Sequence, residues 1–159
     1  METDSLIQKP IDRENERKLA KYRNLVYYST FIAYAMSHFS RKCYTNVKVE
    51  LKGLGFDPIL LSQMDTGFMF FYAIGSLCSG QLGDRLHAPT VVGLGLLGSA
   101  ACVLALTIGI WEDVERDSVW FYHFFFLSVW LVHGLMQSTG GPVNTAIMGN
   151  WFGAKNRGR

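Results

Sequence analysis

What most constrains this chain is where its charged residues are missing. Lysine, arginine, aspartate and glutamate gather in Met1–Arg23, Arg41–Asp57, Asp84–Arg85, Glu112–Asp117 and Lys155–Arg159. Between the clusters lie long stretches almost free of charge, and only Asp65 interrupts them. A surface helix in water carries charge along its whole outer face, so this pattern predicts helices solvated by lipid. The expectation is an all-α membrane protein with four crossings, at about residues 25–48, 59–82, 89–111 and 119–148. Residues 1–23 read as a cytosolic tail, in which 11–23 can form an amphipathic helix. Residues 151–159 read as the start of a further cytosolic loop, so the chain reads as incomplete.

Other features narrow the class. The 18% of charged residues is below the quarter usual for soluble domains. A net charge of +2 without a dense basic patch argues against nucleic acid as a partner. Cys43, Cys78 and Cys102 are far apart with no metal-ligand spacing, so they read as reduced thiols in the core. No nucleophile triad, metal cluster or cofactor motif is visible, which argues against an enzyme. The first 23 residues are too polar for a cleavable signal peptide, so the first span would act as a signal anchor. If the amino terminus is cytosolic, ten lysines and arginines fall on cytosolic segments and three on the opposite side. That imbalance predicts a multi-pass protein with both ends in the cytosol.

The first span holds the clearest functional signal. Hydropathy alone would end it at Arg41, which is short for ~30 Å of hydrocarbon. Yet Tyr27, Thr30, Tyr34, His38, Arg41, Thr45 and Lys48 follow one another at spacings of three or four. They form one polar stripe on one helix face, which suits a helix lining a wet cavity. Arg41 has two readings from spacing alone. It is an interface residue with its head in water, or a cavity cation that binds phosphate or carboxylate with two parallel hydrogen bonds. In the second reading Tyr34 and His38 share its pocket.

Further motifs lie along the chain. Asp57-Pro58 predicts a helix start. Gly93-Leu-Gly-Leu-Leu-Gly98 matches a dinucleotide fingerprint but lies inside a charge-free span, so it reads as helix packing. Gly80-Gln-Leu-Gly83-Asp84-Arg85 reads as a charged turn between the second and third spans, a latch at the cytosolic face. Asp65 reads as a helix-terminus or packing residue in preference to a coupling residue. Gln137 and Asn144, seven apart, suit hydrogen bonds between helices, with a kink at Gly140-Gly141-Pro142. The aromatics from Trp120 to Phe126 suit a membrane interface, and His123 and His133 read as interface or packing residues.

The Gly80–Arg85 motif resembles the loop between helices two and three of major facilitator superfamily transporters, with His87-Ala88-Pro89 standing where the fuller motif has basic residues. A closer resemblance covers most of Leu25–Arg159. It is to the organophosphate:phosphate antiporters, and among them to sugar-phosphate exchangers of the glucose-6-phosphate transporter family. Ser40-Arg41-Lys42 with Tyr34 carries it, as do Tyr72-Ala-Ile-Gly75 with Ser79-Gly80 and Gly83-Asp84-Arg85, and Gly134-Leu-Met-Gln137, Gly141-Pro142 and Gly149-Asn-Trp-Phe-Gly153. The resemblance implies the first four transmembrane helices of a twelve-helix fold. It implies that Arg41 is the helix-one half of a phosphate site, with a second arginine from the missing carboxy-terminal helices. Tyr34 and Tyr72 would line the same cavity. The substrates would be phosphorylated sugars or related organophosphates, exchanged for inorganic phosphate. For some relatives the membrane is that of the endoplasmic reticulum. The chain departs from the pattern at Ser76, where some relatives have lysine, at Gly141, where many have tryptophan, and at His38, where some have tyrosine. Two other readings stand beside this one: a carrier of another organic anion, and a truncated membrane protein that does not transport.

Overall fold

The structure, a computed structural model, describes residues 4–111 and 119–152, with side chains from Arg13 onward except that of Asp84. Five helices account for nearly all of it: α1 Asp4–Gly53, α2 Pro58–Arg85, α3 Ala88–Trp111, α4 Val119–Gln137 and α5 Gly140–Trp151. No strand occurs among the described residues.

α1 runs unbroken for 50 residues. The tail expected over residues 1–23 is therefore helical from Asp4 onward and continuous with the polar stripe, with no break at Arg23. At 1.5 Å per residue the helix is roughly 75 Å long, more than twice the hydrocarbon thickness. It ends where Gly55 takes φ 90°. Phe56 N–H bonds the Leu51 carbonyl at 3.0 Å and Gly55 N–H bonds that of Lys52 at 3.1 Å. Only a left-handed residue closes both bonds, and the buried Leu51 and Phe56 seal the turn. Asp57 then starts α2. Its Oδ1 accepts the Ile59 N–H at 2.9 Å, and Pro58 fills a first-turn position that needs no donor.

Gly80–Arg85 is not a turn. It is the last stretch of α2, and only Leu86 and His87 link α2 to α3. The glycines serve contact: a Cβ on Gly83 would meet Val143 of α5 at 3.1 Å, and one on Gly80 would just touch Pro142 at 4.0 Å. The Asp84 side chain lies outside the described residues, as does the acidic segment 112–118.

The fourth expected span is two helices. The break falls at Ser138–Thr139, just before the Gly140-Gly141-Pro142 motif expected to kink it. The cause is Pro142, which has no N–H for the carbonyl of Ser138 four residues earlier. Ser79 of α2 replaces that donor, its Oγ giving a hydrogen bond to the Ser138 oxygen at 3.1 Å.

α4 sits centrally, packed most extensively on α2 and next on α3, while α1 leans mainly on α5. A Cβ on Gly134 of α4 would stand 2.7 Å from the Phe68 carbonyl oxygen, so the α2 backbone lies directly on it. Gly95 and Gly98 of α3 fit against Met136 and Thr139, whereas Gly93 faces open space. The glycine-rich motif of α3 is thus a packing surface. One core cluster is aromatic and joins Phe56, Phe68, Tyr122, Phe126 and Trp130. The run expected at a membrane interface therefore splits: Tyr122 and Phe126 point inward, while Trp120, Phe121 and Phe124 are exposed. A second cluster, Val91, Val92, Val143 and Ile147, joins α3 to α5. Of the cysteines expected in the core only Cys102 is buried, and Cys78 is exposed. Among the described residues, α3 and the α4–α5 pair (Val119–Trp151) are long and apolar enough to cross a membrane.

Candidate functional site

The stripe on α1 meets α2 at Arg41. Its guanidinium carbon lies 5.1 Å from the centre of the Phe68 ring, and Nη2 is 3.3 Å from the Met69 sulfur. A ring face attracts a cation, but neither neighbour neutralises it. Among the described residues no carboxylate forms an ion pair with Arg41. Two turns further on, Lys48 does pair, with Asp65 of α2. Asp65 is therefore neither a helix terminus nor simple packing; it ties α2 to the same stripe.

Tyr34 and His38 stack edge to face at 4.5 Å on α1, and both are exposed. Tyr72 stacks on Phe68 at 6.1 Å, on the ring that carries Arg41. The Tyr72 hydroxyl stands 3.8 Å from where a Cβ on Gly141 would be. Gly141 in turn lines a groove of about 420 Å³ between α1 and α5, together with Tyr27, Thr30, Tyr34, Pro142 and Asn144. Arg41, Phe68, Tyr72, Gly141 and Tyr34 thus form one surface across α1, α2 and α5. His38 joins it through Tyr34. Gly80, Gly83 and Arg85 lie apart, at the end of α2. Arg85 is exposed in the last turn, where a cation complements the helix dipole.

A buried polar layer holds α1 in place behind Arg41. Ser40 Oγ lies 3.3 Å from Ser99 Oγ of α3 and 3.5 Å from His133 Nε2 of α4. Gln137 donates to the Ser37 carbonyl at 2.7 Å. Gln137 therefore binds between helices, and His133, fully buried against Phe68 and Trp130, packs. Asn144 departs from its expected role: neither polar atom of its carboxamide has a hydrogen-bond partner among the described residues. His123 contacts Asp57, with Nε2 to Oδ2 at 3.3 Å, and so links α4 to the cap of α2. Phe68 and Met69 as the bed of Arg41, and Asp65 as the partner of Lys48, were not expected from the sequence. Asp65, Phe68, Met69 and Tyr72 recur at spacings of three to four, which would have marked one face of α2.

The described residues are all but entirely helical, two of the helical segments are long and apolar enough to cross a membrane, and α1 carries a polar face with a cation, a combination that fits a helical membrane protein. Residues 30–159 match the family model of the Major Facilitator Superfamily, and the chain belongs to that superfamily. It is 34% identical over 160 residues to "Sugar phosphate exchanger 3" of Mus musculus, covering 84% of this chain and 31% of that protein. It is also 34% identical over 157 residues to "Putative glycerol-3-phosphate transporter 2" of Arabidopsis thaliana, covering 92% and 30%. The bovine "Sugar phosphate exchanger 3" is 32% identical over 169 residues, covering 89% and 33%. The chain thus spans about a third of the length of the curated relatives it matches. No solved structure matches it.

Proposed function

We propose that this chain forms the first four transmembrane helices of a twelve-helix exchanger, which carries phosphorylated sugars or related organophosphates against inorganic phosphate. α1, α2, α3 and the broken α4–α5 pair are the four crossings, with both ends of the segment in the cytosol. The membrane of the endoplasmic reticulum is one location this reading admits. The missing carboxy-terminal helices and the bilayer are its partners.

The observation that carries the reading is Arg41. Of the two basic residues that extend the polar stripe of α1, Lys48 has a carboxylate partner and Arg41 has none among the described residues. An unpaired guanidinium on a cavity surface within a membrane needs an anion, and its planar fork fits phosphate with two hydrogen bonds. Tyr34, His38 and Tyr72 supply polar and aromatic walls on either side. The names of the relatives, which refer to sugar phosphate and glycerol 3-phosphate, agree with an anion of that kind. The surface would face a midplane cavity shared with the second half, and the two halves would rock around it. Gly80, Gly83, Asp84 and Arg85 would hold the cytosolic face closed in one state. Gln137, Gly141 and Pro142 would shape the fourth crossing.

The test is phosphate exchange in liposomes by a full-length transporter carrying this chain. Removing one partner of a desolvated charge pair costs roughly 2–5 kcal/mol, so Arg41→Ala should slow exchange at least about 30-fold. Exchange at the wild-type rate would overturn the assignment. Guanidinium also binds carboxylates, so a competition panel of sugar phosphates, glycerol phosphate and dicarboxylates separates this reading from a carrier of another anion.

A further inference from the structure

The α1–α5 groove contains one feature that anion binding does not use. Asn144, 7% exposed, lines it, and both its amide nitrogen and its oxygen lack partners among the described residues. A buried amide left unpaired is costly, so each such group calls for an explanation. The two threonines that line the groove with it are partly satisfied. Thr30 Oγ1 donates to the Val26 carbonyl at 2.8 Å, and Thr145 Oγ1 donates to that of Gly141 at 3.0 Å. Their hydrogens are spent, and Asn144 alone of the three offers a free donor beside a free acceptor.

We infer that Asn144 reads the hydroxyl groups of the substrate whose phosphate Arg41 holds, an assignment that rests on the function proposed above. Two hydroxyls on neighbouring carbons present a donor and an acceptor to a carboxamide, which matches both its edges. The groove is continuous with the anion surface, since Tyr34 borders it and Gly141 opens it toward the Tyr72 hydroxyl. Its volume of about 420 Å³ lies within the range of small-molecule sites. Along α1, Tyr34 and Arg41 are seven residues apart, about 10 Å of helix rise. A polyol phosphate of several carbons, with its phosphate at Arg41, would extend past Tyr34 into the groove and bring its far hydroxyls to Asn144. Tyr27 and Tyr34, both half exposed along the groove, can uncover the carboxamide by changing rotamer without moving a helix.

The experiment uses the full-length transporter carrying this chain, in phosphate-loaded liposomes. Uptake of labelled phosphate is competed by a hexose 6-phosphate, or by butyl phosphate, which has no hydroxyl. Asn144→Leu should weaken competition by the hexose phosphate about tenfold. Phosphate uptake itself and competition by butyl phosphate should stay within about twofold of wild type. Unchanged competition by the hexose phosphate overturns the inference, and so does equal weakening of both competitors, which marks a packing role. Phosphate uptake also reports whether the variant folds. If Asn144→Leu abolishes uptake, Asn144→Ser is judged by the same ratio. A wild-type transporter that exchanges no phosphate overturns the function proposed above, and this inference with it. A wild type that exchanges phosphate while Asn144 leaves the ratio unchanged overturns the Asn144 assignment alone.

Discussion

α1 and α3 are both helices of a membrane protein, yet they are built on opposite plans. α3 buries Val91, Val92, Gly95, Ser99, Cys102, Leu106 and Gly109, a stripe that from Val92 onward runs at spacings of three and four. On α1, from Arg13 onward, only Tyr44 and Leu51 are buried, both near its carboxy end. α3 is apolar on every side and long enough to span; α1 does not pass the same test. The difference is one of task. A helix that only packs can be apolar throughout and use glycine for close approach. A helix that carries a site keeps a polar face, which lowers its hydropathy below that of a plain span. The same holds for α2, which bears Asp65 and Tyr72 and also fails the test. In this chain the two helices with polar faces hold most of the candidate site.

The contrast breaks most severely if α3 is altered. A Cβ on Gly95 would stand 2.8 Å from the Met136 backbone oxygen and collide with Thr139. Backbone cannot swing aside, so Gly95→Leu should destabilise by about 3 kcal/mol, the upper range of overpacking. Gly93→Leu, two residues away on an open face, should be nearly neutral. Thermal unfolding of the two variants in detergent checks this. Equal Tm values would show that the glycine motif of α3 is not a packing surface.

The same contrast explains what was legible in the sequence. The stripe from Tyr27 to Lys48 was visible because helical spacing is a strong signal and polar residues are rare in such segments. The Asp57-Pro58 start was legible because both residues act locally. A disturbance of the fourth expected span is legible from Gly140-Gly141-Pro142, but the helix ends a few residues before that motif. A proline disturbs the carbonyl four residues before it, so the effect of Pro142 shows at Ser138 rather than at the adjacent glycines. The Gly80–Arg85 segment misled for another reason. Two glycines and two charges look like a turn, but these glycines bring α2 close to Val143 and Pro142, and tertiary contact outweighs local propensity. The pairing of Lys48 with Asp65, and the bed of Phe68 and Met69 under Arg41, were not legible. They depend on how α1 is rotated against α2, and no local pattern encodes that.

Within the stripe, Lys48 and Arg41 offer a finer test. Lys48 is neutralised by Asp65 and should hold α1 to α2, while Arg41 should bind ligand. The pair is partly exposed, at 31% and 49%, so its worth is about 1 kcal/mol. Lys48→Met and Asp65→Asn should each lower stability by that order, and the double variant should lose less than the sum of the two. Michaelis constants for phosphate should move little compared with Arg41→Ala. A large rise in KM from Lys48→Met alone would place Lys48 at the ligand and remove the distinction between the two cations.

The smallest effect concerns the joint between α4 and α5, where a packing helix gives way to one that borders the groove. Ser79 donates to the Ser138 carbonyl that Pro142 leaves without an intrahelical partner. One such hydrogen bond is worth about 1 kcal/mol net, so Ser79→Ala should cost about that much. Pro142→Ala restores an N–H four residues after Ser138 and gives the carbonyl a partner within the helix. In that background Ser79→Ala should cost close to nothing. The double-mutant cycle, read by thermal unfolding, therefore isolates the coupling between the proline and the serine. Additive costs would mean that the break is set by Gly140 and Gly141 after all. A coupling near 1 kcal/mol would show that α2 caps the broken crossing from outside. The direction of the groove helix α5 would then be fixed by the same helix that supports Arg41.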